Sequence, residues 1–165
     1  MKSLRLLIPA MLVVTACAAR QRTIGSSKIS DTSFNRGVLE TIETYRTAME
    51  RQDTQALLLL ASKKYREDGG TPSGSDDYGY DGLRQVLTDR LNKVTEVRYS
   101  MRYVAMRTNC GDSPKAGCRA SVEAMVDASF TVTDAMGNER RPDMRDQSEF
   151  VLEWSGEKWQ FLSGM

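Results

Sequence analysis

The stretch "YRTAMERQDTQALLLL", Tyr45–Leu60, decides the fold, because it holds the end of one helix, a corner and the start of another. Working back from it, Phe34, Val38, Ile42, Tyr45 and Met49 recur at steps of three and four residues, one apolar stripe of an amphipathic helix. Ser33 stands where its N-cap is expected. Gln52 and Asp53 interrupt the stripe, and Asp53 suits the N-cap of a second helix carrying Leu57, Leu60, Ala61 and Tyr65. Two helices meeting at a tight corner are therefore expected.

Further along, Gly69 to Gly82 is too rich in turn residues for more than a short hairpin. Asp81 is placed to cap a third helix with Leu83, Val86, Leu87, Leu91 and Val94 on its apolar side. The period then changes from helical to two. Val97, Tyr99, Met101 and Tyr103 alternate with polar residues, and Ala120, Val122, Ala124, Val126, Ala128, Phe130 and Val132 repeat the pattern over a longer run. "DAMGN", Asp134–Asn138, and "SGE", Ser155–Glu157, read as turns, with Phe150, Leu152 and Trp154 on the strand between them and "KWQFLSG", Lys158–Gly164, as the last strand. Helices first and an antiparallel meander afterwards predict an α+β fold, with three N-terminal helices packed on one face of a curved antiparallel sheet.

This order resembles the nuclear transport factor 2-like superfamily, which includes ketosteroid isomerase and SnoaL-like proteins, and the resemblance implies that the curved sheet forms a cone. The residues that carry the resemblance are Tyr45–Leu60, similar to the family's first helix, corner and second helix, and the closing "EKWQFLSGM", Glu157–Met165, similar to its Trp-bearing last strand. It spans residues 34–165. The Gly-rich insert and the cysteine pair are not part of the family pattern.

The N-terminus has a different character. Lys2 and Arg5 precede an apolar run, Leu6–Val14, that is too short to span a bilayer, which is the pattern of a processed export signal. Val14, Thr15 and Ala16 before Cys17 resemble the bacterial lipoprotein box. The resemblance implies cleavage before Cys17, acylation there, and anchoring by several chains, far firmer than a single chain gives. Ala18, which is not Asp, implies transfer to the outer membrane, facing the periplasm. The alternative is an ordinary secretory signal with Cys17 incidental. Residues 1–16 are thus expected as signal and 17–33 as the lipidated cysteine and its tether. About 16 flexible residues span roughly 20–25 Å.

Cys110 and Cys118 enclose Gly, Asp, Ser and Pro, a turn composition, and an oxidising compartment permits a bridge between them. Cross-linking so short a loop is worth about 2.5 kcal/mol by chain entropy. Their spacing is not C-x-x-C, so a redox or metal pair is disfavoured.

Charge and composition exclude more than they select. With 23 Lys and Arg against 22 Asp and Glu, nothing argues for nucleic acid as a partner. The chain has no histidine, which removes Ser-His triads, His-based acid–base chemistry and most zinc sites. No cofactor or metal is expected. The run Asn138–Arg145 reads as a solvated hairpin arm, because Glu139 and Asp143 dilute its arginines.

Enzymes of the resembled family work inside the cone. The matching positions here are Tyr45 on the first helix, Tyr103 on a strand, and Asp146, of the same strand parity as Phe150 and Leu152. A tyrosine beside an acid could polarise a carbonyl and move a proton, although both tyrosines also fit ordinary core positions with the hydroxyl satisfied at an edge. The reading that follows is a membrane-anchored, non-enzymatic module for a small apolar ligand or an envelope protein. The alternatives are an isomerase or hydrolase using the Tyr/Asp pair, and a homodimeric structural lipoprotein. The alanines at 120, 124 and 128 leave either room for a ligand or close packing.

Overall fold

The computed structural model describes residues 22–69, 71–111 and 113–165. Helix α1, Ser33–Glu50, is capped one residue earlier than the sequence suggests: the Thr32 hydroxyl accepts from the Asn35 N–H at 3.1 Å. At the corner Gln52 takes a positive φ of 55°, and its side-chain amide donates to the carbonyls of Leu91 and Val94 at 2.9 and 2.6 Å. Those two bonds tie the corner to the far end of the third helix and offset the cost of a left-handed backbone at a residue other than glycine. Asp53 caps α2, Thr54–Leu60, through the Ala56 N–H at 2.9 Å, as expected.

The second helix is shorter than its apolar spacing implies. It stops at Leu60 because the backbone beyond is taken by a sheet edge: Ala61 bridges Phe161 in parallel, and the Ser62 N–H donates to the Phe161 carbonyl at 2.8 Å. Tyr65 is still buried, but from a loop. Two short strands, β1 (Arg66–Glu67) and β2 (Tyr78–Gly79), form the small hairpin anticipated around the Gly-rich insert. Helix α3, Tyr80–Leu91, starts before Asp81, with Gly79 at its N-cap and no side-chain cap. Asp81 instead lies in the first turn, where a carboxylate complements the helix dipole.

The main sheet contains β3 (Val94–Thr108), β4 (Arg119–Thr133), β6 (Asp143–Trp154) and β7 (Trp159–Ser163) in the order β3-β4-β6-β7, all antiparallel. The two-residue β5, Glu139–Arg140, pairs back onto β4 through the Asp134–Asn138 turn. Irregularities between Thr95 and Arg98 and between Tyr103 and Ala105 interrupt the β3 register, and such bulges bend a strand. A disulfide joins Cys110 and Cys118 across the β3–β4 connection, with the Cα atoms 5.1 Å apart. The result is three helices on a curved antiparallel sheet. Val38, Ile42 and Tyr45 of α1 and Leu57 of α2 share one core with Val122, Ala124, Phe150, Leu152 and Phe161 of the sheet.

Near the C-terminus Gly164 is required. Its φ is 92°, and a Cβ there would lie 2.3 Å from the Glu149 carbonyl oxygen. Its N–H donates to Glu67 Oε2 at 2.8 Å, which closes the end of the chain onto β1.

The expected tether is largely replaced by packed structure. Residues 22–31 form a turn held by a Thr23–Ser30 bridge and by the Ile24 N–H donating to the Ile29 carbonyl at 2.8 Å. Ile29 is 2% exposed, part of the main core, and the Lys28 N–H donates to the Val104 carbonyl on the free edge of β3. A buried isoleucine, the bonds within the turn and one edge hydrogen bond together hold a segment whose composition reads as linker. Residues 17–21, Cys17 among them, lie outside the described residues.

Candidate functional site

The cone interior is built by α1 facing the sheet, and Tyr45 stands at its centre. Its ring meets Phe161 at 5.3 Å, Phe150 at 5.7 Å and Tyr99 at 5.9 Å between centroids, the last edge to face. Phe150 and Phe161 are themselves edge to face at 6.0 Å. Tyr45 is 2% exposed, with its ring set edge to face against that of Tyr99. Burial, followed by the Tyr99 contact, pushes its pKa well above the ordinary tyrosine value. Such a group remains a neutral phenol at physiological pH and cannot serve as a base. Ala120 and Ala124 are buried in the core and serve close packing, whereas Ala128 is partly exposed and borders an open cleft.

Tyr103 lies elsewhere on the same face. It is half-buried, and its hydroxyl donates to Glu43 Oε1 at 2.5 Å. Burial and the Glu43 carboxylate both raise its pKa, so it too acts only as a donor. Glu43 begins a polar row along α1: Arg46 pairs with Glu43 at 2.7 Å and with Glu50 at 2.8 Å. Glu50 in turn accepts the Tyr99 N–H at 3.1 Å, and Arg46 reaches the Tyr99 carbonyl at 3.4 Å. The row therefore covers part of the open edge of β3, whose unpaired backbone groups would otherwise invite another strand.

Asp146 joins neither tyrosine. It sits opposite Val126 in the β4–β6 register and is exposed, and its carboxylate accepts from the N–H of its own neighbour Gln147 at 2.7 Å. The Tyr/Asp pairing expected from strand parity thus fails on position along the strand: β6 starts exposed at Asp143 and becomes buried only at Phe150, after residue 146. Two Tyr–Glu pairs stand in its place. Besides Tyr103 with Glu43, Tyr65 donates to Glu67 Oε2 at 2.5 Å and accepts from the Met165 N–H at 3.1 Å. Neither glutamate carries a sequence signal, because one lies off the apolar stripe of α1 and the other in the irregular stretch after α2.

An open cleft of about 640 Å³ lies at the end of the sheet, bordered by Glu50, Arg98, Tyr99, Asp127, Met144 and Arg145. Its charges largely answer one another, with Arg145 Nε 2.5 Å from Asp127 Oδ1. Among the described residues no group of three His, Cys, Asp or Glu side chains could hold a metal ion.

With this geometry in place, likeness to solved structures can be judged. A conserved protein from Planctomyces limnophilus superposes with a TM-score of 0.62 at 11% identity, over 78% of this chain and 91% of that one. The fold is nuclear transport factor 2-like. A ketosteroid isomerase-like protein from Erwinia carotovora atroseptica gives a TM-score of 0.57 at 20% identity, over 77% of this chain and 89% of that one. A protein of the NTF2-like family from Streptomyces avermitilis gives 0.58 at 12% identity, over 78% and 90%. No family model matches the chain, and no curated protein matches it in sequence. At such identities the likeness concerns the fold, and function has to be argued from this chain's own residues.

Proposed function

We propose that the chain is a lipid-anchored lipoprotein of the bacterial envelope whose NTF2-like domain is a non-enzymatic module that binds a protein partner. The observation that carries the binding half is the filled cone: Tyr45, Tyr99, Phe150 and Phe161 occupy the space that a small ligand would need. Ligand sites are concave and largely preformed, and the concavity bordered by Arg98, Asp127 and Arg145 is open and lined by charge. An open surface with charged side chains along its border suits a macromolecule better than a small apolar compound. Anchoring is supported by the sequence Val14-Thr15-Ala16-Cys17 at the end of the apolar run, with the outer membrane, facing the periplasm, as destination. Among the described residues no helix is long and apolar enough to cross a membrane.

The isomerase or hydrolase alternative loses its acid, since Asp146 is exposed and shares no hydrogen bond with Tyr45 or Tyr103. The homodimer alternative is decided by sedimentation of the domain. Anchoring is tested by expressing the full chain in a bacterium with labelled palmitate: label in the wild type, none in Cys17→Ala, and loss of the variant from the membrane fraction are expected. An unlabelled wild type that fractionates like the variant would end the lipoprotein reading.

A further inference from the structure

We propose that the domain is held directly against the lipid headgroups, with the turn at residues 22–31 and the adjoining edge of β3 facing the membrane. This rests on the lipoprotein reading and sharpens it. A composition-based tether from residue 18 to residue 33 would hold the domain clear of the bilayer. The fold takes most of that length away: Ile29 is buried in the core, Ser27 is buried with its hydroxyl on the Ile24 carbonyl at 2.6 Å, and Lys28 is hydrogen-bonded to Val104 of β3. Packing therefore begins at Arg22, and five Cα–Cα steps separate it from Cys17. Five steps reach at most about 18 Å when fully extended, and roughly 12 Å on average for a flexible chain. A domain leashed this tightly cannot present the attached end to anything but the bilayer surface.

The chemistry of that end fits headgroup phosphates. Arg22 and Lys28 are exposed, and Lys28 makes no ion pair among the described residues. Arg36, in the first turns of α1, is charge-paired with Asp31 at 2.6 and 2.8 Å, so Arg22 and Lys28 supply the positive charge at this end. Juxtamembrane cations of this kind add attraction to anionic lipid within a Debye length. The opposite end carries the β4–β5 turn with Met136. Val94 pairs with Val132 just before that turn, and Lys28 sits ten residues farther along β3, a separation of about 30 Å at strand rise. The cleft bordered by Arg98, Asp127 and Arg145 lies toward this distal end and stays open to a partner.

The test uses the full acylated chain in phosphatidylethanolamine/phosphatidylglycerol vesicles carrying a headgroup-attached quencher, with a fluorophore at Lys28→Cys or at Met136→Cys. Strong loss of emission at position 28 and little at position 136 are expected, and a flexible Gly/Ser insertion after Ala18, restoring a tether of about 16 residues, should release position 28. Equal, weak quenching at both positions in protein that carries palmitate would overturn the apposition and leave the anchor standing. Full quenching at position 28 that survives the insertion would overturn the length argument. Protein that takes up no palmitate and stays off the vesicles would bring down the anchor reading, and this proposal with it.

Discussion

Tyr45 and Tyr103 are the same residue type on the same side of the sheet, both read from apolar periodicity, yet they have different roles. Tyr45 is sealed among three aromatic rings, and burial is the main cause of its raised pKa. Tyr103 stands at the rim, where its hydroxyl donates to Glu43, in a row that continues through Arg46 and Glu50 to the edge of β3. One tyrosine fills the cone and the other fastens a helix to a strand. The difference shows that a phenol on a core stripe says little about chemistry until its hydroxyl partner is known, and that partner is set by tertiary structure.

Truncation separates the two most strongly. Tyr45→Ala should cost about 3–5 kcal/mol, in the range for emptying a buried aromatic site. Tyr103→Ala, from a half-buried position, should cost about 1–2 kcal/mol; denaturant midpoints of equal size for the two would break the comparison. Removing only the hydroxyls narrows the gap. Tyr45→Phe keeps the three ring contacts and Tyr103→Phe leaves Glu43 still paired with Arg46, so each should cost about 1 kcal/mol or less.

A pH series sharpens the same contrast. Both folded-state pKa values are raised above the ordinary tyrosine value of 10.0. Below that value the phenols are neutral in both states and their contribution is complete. As pH rises past about 10 the unfolded chain releases protons that the fold retains, so stability falls. Urea midpoints measured from neutral pH upward should decline in that window, and less steeply in Tyr45→Phe. A flat profile in the wild type would contradict the burial assigned to both tyrosines. The smallest effect is reserved for the acid that parity placed beside them: Asp146→Asn should leave stability within about 0.5 kcal/mol of wild type, and a large shift in its midpoint would restore it to the site.

Much of this architecture was legible from local signals. The α1 stripe, the Asp53 cap and the change of period at the start of β3 all depend on neighbours within one or two turns of chain. What sequence reading missed is non-local. The second helix ends at Leu60 because β7, a hundred residues on, accepts the backbone at Ala61 and Ser62. The segment around Ile29 looks like linker because its anchor point, Val104, lies on β3. Asp146 has the right parity and the wrong depth, since period two fixes the face of a strand and not how far along it the core extends. The glutamates that partner Tyr103 and Tyr65 announce themselves by no spacing at all.

The central claim, that the cone is full and that binding belongs to the outer surface, is tested most directly by native mass spectrometry of residues 22–165 purified oxidised from a periplasm. The account predicts the bare polypeptide mass, less two hydrogens for the Cys110–Cys118 bridge, with no retained small molecule. A stoichiometric adduct that survives in the wild type and is lost when Tyr45 is replaced by Phe would place a ligand inside the cone and contradict it.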